Sequence, residues 1–194
     1  MNSRIYGLTG GVGMGKSTVS RLLKQMGIKC VDSDDLARKV VEPGQPTLEM
    51  IRAEFGEGFI GPQGRLDRSG MASLVFDNEE QRKKLEGIIH PLVRDLWLEQ
   101  VKQWEADQIT RGVVIIPLLF EVGVEGEFDR IICIACTGNT QFERLRTRGW
   151  KPEQIKARIK SQMDISEKMN RSDYVIWNEG SLDEIKEQLR RIFS

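Results

Sequence analysis

Several features that would mark out a protein class are missing from this sequence. Its longest apolar run covers eight residues, 113–120, and Pro117 interrupts it, whereas a bilayer span takes about 20. Neither sign of charge is in surplus: 29 Lys and Arg balance 29 Asp and Glu, so no overall basic field points to nucleic acid or to an anionic membrane. Cysteine is scarce, at three in 194 residues, which rules out a disulfide scaffold. Arg4 and Tyr6 break the opening stretch, so no export signal is expected and the thiols are expected to be reduced, in a cytoplasmic protein. There is one histidine, no internal repeat and no low-complexity segment. With 39% hydrophobic and 30% charged residues the chain can fill a core, and its length suits about one domain with an inserted lobe.

The N-terminal part predicts strand, tight turn and helix. Residues 5–9 are apolar and β-prone, 10–15 are glycine-rich, and 16–26 place Val19, Leu22, Leu23 and Met26 on one helical face before Gly27. A second strand at 28–31 leads into Asp32, Ser33, Asp34 and Asp35 and a helical stretch at 36–41. Strand, helix and strand within about 30 residues predict a right-handed βαβ unit with parallel pairing, the second strand lying beside the first. From 43 to 108 no strand-like run occurs. Helices are predicted at 47–55, 69–76, 79–89 and 92–107, with a glycine-rich break at 56–64 and His90-Pro91 joining the last two. This stretch is expected to be a helical lobe inserted into an α/β core. Continuous apolar strands return at 113–116 and 131–136, as in sheet centres buried on both faces. A fifth strand at 174–177 and a closing helix at 182–192 follow.

Residues 10–17, GGVGMGKS, satisfy G-x-x-x-x-G-K-[ST] in full and lie between an apolar strand and an amphipathic helix. Gly10, Gly11, Gly13 and Gly15 let the backbone wrap closely. Its N–H groups can then converge on phosphates, and the following helix start adds roughly half a positive charge. Lys16 suits β- and γ-phosphates, and the Ser17 hydroxyl suits Mg²⁺. Guanine recognition by Asn-Lys-x-Asp is absent, because none of the five asparagines precedes a lysine, and the one Asp-x-x-Gly, 67–70, follows a polar turn. No apolar strand ends in Asp-Glu, as an ATPase motor would require. A kinase acting on a small acceptor is the best fit. A module that binds ATP without transferring a phosphoryl group remains as the alternative, and it would have no need of a general base.

Phosphoryl transfer needs positioning, charge stabilisation and a group that orients or deprotonates the acceptor hydroxyl. Asp32 and Asp34 stand at the carboxyl end of the second strand, where ligands bind in open α/β sheets. One could take the proton and the other hold a metal-bound water, or the cluster could simply cap the helix that follows. Nine Lys or Arg against four acids make 139–171 locally basic. Within it Arg144, Arg146 and Arg148 fall on a predicted helix, 144 and 148 sharing a face suited to phosphate or, equally, to solvent. Cys133 and Cys136, three apart on a strand, point to opposite faces and are core residues rather than a zinc pair. Trp97 and Trp104 read as a core stripe, and His90 as either structural or a substrate contact.

Over essentially the whole chain the sequence resembles the dephospho-CoA kinase family. The residues that carry the resemblance are 9–18, Asp32-Ser33-Asp34 with Ala37-Arg38, His90-Pro91-Leu92, Pro117-Leu118-Leu119-Phe120-Glu121, Gln141 with Arg144 and Arg148, and 173–180. The resemblance implies ATP-dependent phosphorylation of the ribose 3′-hydroxyl of dephospho-CoA, the last step of coenzyme A biosynthesis, with Mg²⁺. It implies an α/β P-loop NTPase three-layer fold with a five-stranded parallel sheet. Residues 1–34, 110–138 and 172–194 would form the nucleotide core, 35–109 a substrate lobe and 139–171 a lid. ATP would meet Gly10, Gly11, Gly13, Met14, Gly15, Lys16, Ser17, Thr18, Arg144 and Arg148. Asp34 would be the base, with Lys16 and Arg144 catalytic. His90, Pro117, Leu118, Leu119 and Glu121 would face the acceptor, and Ser17 and Asp32 the metal. Ser33 replaces the family's usual alanine, and Trp177 stands where a small polar residue is common, near the adenine end. No nucleic acid or membrane partner is expected.

Overall fold

A computed structural model describes residues 4–194. The chain divides into two compact units, one comprising the chain up to Asp32 together with Val101–Ser194, the other Ser33–Gln100. The division therefore falls at Ser33 and Val101, and residues 139–171 cluster with the sheet.

The first unit is built on five parallel strands, β1 (Arg4–Gly10), β2 (Lys29–Asp32), β5 (Arg111–Ile115), β6 (Arg130–Ala135) and β7 (Tyr174–Trp177), in the order β2-β5-β1-β6-β7. The expectation that β2 lies beside β1 is corrected here, because β5 stands between them. The reason lies in the side chains. β5 is buried along nearly its whole length, while β2 is only half-buried, so the apolar strand takes the centre and β2 the edge. One sheet face carries Tyr6, Leu8, Val113, Ile115, Ile132, Ile134 and Ile176. They pack against Val19, Leu22 and Leu23 of α1 (Lys16–Gln25) and Ile185, Leu189 and Phe193 of α9 (Leu182–Phe193). On the other face, Trp104 closes over Gly112, where a Cβ would lie 2.3 Å from the indole. There too Ile165 and Met169 of α8 (Ile165–Asn170) pack on Ala135 and Cys136. Helices on both faces make three layers.

Strand starts are fixed by carboxylates. Asp129 accepts from Ile5 N–H at 2.7 Å and Asp173 from Ile131 N–H at 2.7 Å. Between β6 and α8 lie α6 (Gly138–Arg146), with Thr137 as its cap, and α7 (Pro152–Lys160). Cys133 and Cys136 are buried and unbridged. Burial pushes the Cys30 and Cys133 thiols up to about 11 and raises Cys136 as well, against the pull of nearby Arg144.

The second unit holds α2 (Ser33–Lys39), α3 (Pro46–Phe55), α4 (Arg68–Asp77) and most of α5 (Glu79–Ala106). Asp67 caps α4, accepting from the Ser69 and Gly70 N–H groups, which hold its carboxyl below the usual range. Two expectations fail here. A hairpin of two-residue strands, β3 (Ile60–Gly61) and β4 (Arg65–Leu66), occupies the stretch read as strandless; strands this short carry no period-two signal. The two helices expected at 79–89 and 92–107 are one, with Pro91 inside. Proline removes one helical bond, at about 3 kcal/mol. The apolar stripe Ile88, Ile89, Leu92, Val93, Leu96 and Trp97 runs unbroken past an exposed Pro91, with Val93 and Trp97 buried, and its packing offsets that loss. Among the described residues no helix is long and apolar enough to cross a membrane.

Candidate active site

β1 lies mid-sheet, and residues 10–15 leave its carboxyl end and enter α1. Gly15 is the N-cap of α1 at φ 98°, and no side chain caps the helix. A helix start of this kind presents main-chain N–H groups and partial positive charge to an anion. Only glycine fits at 15 for two reasons: the left-handed backbone, and Asn178, whose Nδ2 lies 1.8 Å from where a Cβ would be. Lys16 Nζ donates to the Gly10 and Gly11 carbonyls at 2.7 and 3.0 Å, so the ammonium lies along the loop. Ser17, in the first turn of α1, is exposed.

The loop is held from outside by three amide side chains. Val12 N–H donates to Gln162 Oε1 at 2.9 Å, and Gln141 Nε2 donates to Val12 O at 2.7 Å. Asn178 Nδ2 donates to Met14 O at 2.7 Å, and Asn178 O accepts from Arg144 Nη2 at 2.8 Å. Arg144 Nη1 is buried without a hydrogen-bond partner among the described residues and lies 3.7 Å from the position of a Gly15 Cβ. A guanidinium anchored at one nitrogen, with another desolvated beside the loop, is suited to an arriving anion. Arg148 departs from expectation. α6 ends at Arg146, Gly149 turns the chain at φ 85°, and Arg148 sits exposed in that turn. It shares no helical face with Arg144. Trp177, on edge strand β7, is 44% exposed, and both its main-chain groups bond the Gln188 amide. Its neighbour Asn178 points inward to the loop.

At the same sheet edge, Asp32 ends β2 opposite Ile115, two strands and roughly 10 Å of sheet from β1. The 117–121 turn follows β5, between them. Pro117 and Leu118 are half-buried. Leu119 is fully buried, close enough that a Cβ on Gly7 would strike it at 2.7 Å, so it belongs to the core and not to an acceptor surface. Glu121 Oε1 accepts from Lys168 Nζ at 2.8 Å and from Met163 N–H at 2.9 Å. Sequence reasoning assigned nothing to Gln162 or Lys168; a glutamine and one lysine in a basic run carry no local signal. In the second unit, Asp34 is exposed in the first turn of α2, and His90 is exposed within α5.

A family model described as dephospho-CoA kinase matches residues 4–184. The dephospho-CoA kinase of Geobacillus kaustophilus is 40% identical over 187 residues, covering 96% of this chain and 93% of that one. Among solved structures, a Thermus thermophilus protein superposes with TM-score 0.86 at 36% identity, covering 100% of this chain and 97% of its own. The dephospho-CoA kinase of Campylobacter jejuni gives TM-score 0.74 at 28% identity, with 99% and 96% covered. The glycine-rich loop, the five-stranded parallel sheet and a match that leaves almost no residue outside it agree on one assignment: the chain belongs to the dephospho-CoA kinase family.

Proposed function

We propose that this chain transfers the γ-phosphoryl group of ATP to the ribose 3′-hydroxyl of dephospho-CoA, giving coenzyme A. The observation that carries the proposal is the phosphate loop of a family member, complete in sequence and held in shape by Gln141, Gln162 and Asn178. In this reading the main chain at Gly10, Gly11, Gly13, Met14 and Gly15, with Lys16, Ser17 and Thr18, cradles the triphosphate. Arg144 and Arg148 belong to a lid formed by 139–171 and approach it from the side. The Asp34 carboxylate takes the proton of the incoming hydroxyl. Pro117, Leu118 and His90 face the acceptor, while Glu121 braces the turn and Leu119 supports it from the core.

Mg²⁺ fits the oxygen donors present. Among the described residues no group of three or more His, Cys, Asp or Glu could hold a metal. The Ser17 hydroxyl and the Asp32 carboxylate are hard oxygen donors of the kind Mg²⁺ takes beside phosphate and water. When bound, Mg²⁺ neutralises charge on the β- and γ-phosphate oxygens.

The test is mass-spectrometric detection of coenzyme A from dephospho-CoA and Mg·ATP, beside a panel of nucleosides and shikimate. Dephospho-CoA is expected to be preferred; equal rates on a simple nucleoside would refute the assignment. Arg144→Ala is expected to lower kcat roughly tenfold to 150-fold, the worth of one charge-assisted hydrogen bond, and to change the KM for dephospho-CoA less. The opposite pattern in steady-state kinetics would place Arg144 outside the transfer step.

A further inference from the structure

Lysine is almost never fully buried unless its charge is satisfied, and Lys168 on α8 has no exposed surface. Its Nζ donates to Pro117 O at 3.0 Å and meets Glu121 Oε1 at 2.8 Å, so it closes both ends of the 117–121 turn. Pro117 O accepts a second bond, from the Thr9 hydroxyl at 3.1 Å, and Thr9 directly precedes the phosphate loop. One carbonyl thus joins the root of that loop, the turn after β5 and α8. Three residues on, Arg171 pairs with Glu125 and lies 4.6 Å over the Phe120 ring. α8 and the cap residue that ends it therefore grip the segment after β5 with two cations.

Stability alone does not account for such a tie. A buried ion pair gains little over apolar residues of the same volume, because desolvating both charges offsets their attraction. What it provides is a set of directional bonds at defined distances.

Resting on the phosphotransfer reading above, we infer that Lys168 is a positioning residue that holds the 117–121 turn in register with the phosphate loop, and so sets how the acceptor meets the nucleotide. Lys168 touches neither substrate; it acts through Pro117 and Glu121. Its loss changes acceptor recognition and leaves the nucleotide cradle, braced separately by Gln141, Gln162 and Asn178, as it was.

The test is steady-state kinetics of Lys168→Met with each substrate varied in turn. The expected result is a KM for dephospho-CoA raised about tenfold, roughly 1.4 kcal/mol, with the KM for ATP within about twofold of the parent. Lys168→Met combined with Glu121→Gln removes the half-buried carboxylate that Lys168→Met leaves unpaired, so its melting temperature is expected to recover while the acceptor KM stays high. An unchanged acceptor KM, a parallel rise in both KM values, or an acceptor KM that recovers together with the melting temperature overturns the inference. Should Lys168→Met not fold, Glu121→Ala cuts the same tie from its less buried end. The same selective rise then supports the inference, and an unchanged acceptor KM overturns it. An unsubstituted protein that makes no coenzyme A would overturn both this inference and the phosphotransfer reading, whereas active protein with unaltered variants would overturn this inference alone.

Discussion

Asp34→Asn is expected to bind Mg·ATP about as well as the parent protein and to turn over at least ~10²-fold more slowly, the usual loss when a general base is removed. The substitution keeps the size and shape of the side chain and removes only its ability to accept a proton. Asp34 stands in the first turn of α2, directly after the carboxyl end of β2. A negative charge there also favours the helix start, by a few tenths of a kcal/mol at an exposed site, so the melting temperature should barely move. The loss therefore belongs to the chemical step, not to folding. Nucleotide titration, a thermal melt and steady-state rates together check it. Turnover at the parental rate would remove Asp34 from the mechanism.

Lys16→Ala is expected to lower kcat/KM for ATP by about 10²- to 10³-fold, or ~3–4 kcal/mol, comparable to deleting one preorganised donor from a transition-state site. The geometry explains why one side chain has so large an effect. Lys16 Nζ is already seated at the loop, bonded to the Gly10 and Gly11 carbonyls, so its charge stands where the loop would meet a phosphate. Alanine removes the charge and leaves those two carbonyls without that donor. Single-turnover measurements at saturating ATP separate the lost transfer rate from lost affinity; an unchanged single-turnover rate would contradict the role.

The residues that disclosed this fold did so through continuity and spacing. The 174–177 strand was visible because four β-prone residues stand between polar turns, and β7 spans Tyr174–Trp177. The phosphate loop was visible because its chemistry demands glycines and a lysine at set intervals. Sheet order was not visible: neighbours in sequence are neighbours in a sheet only about two times in three, and β5 enters between β2 and β1. Pro91 misled because its local cost was legible while the stripe that outweighs it needed the whole helix. Arg148 misled because Gly149 ends α6 early. Lys168 was hidden most completely. It stood among nine basic residues with nothing local to mark it, and only the chain fold turns it inward.

The shielding of the cysteines, two of them buried and Cys30 half-buried, bears on the chemistry this family handles. Dephospho-CoA and coenzyme A both end in a thiol, so their disulfide forms would threaten any protein with a reactive cysteine. Exchange requires attack by a thiolate, and burial pushes Cys30 and Cys133 up to about 11, so both stay in the thiol form near neutral pH. Cys136 is shielded in the same sense, by burial. An enzyme made in this way can meet the oxidised forms of its substrate and product without being captured by them.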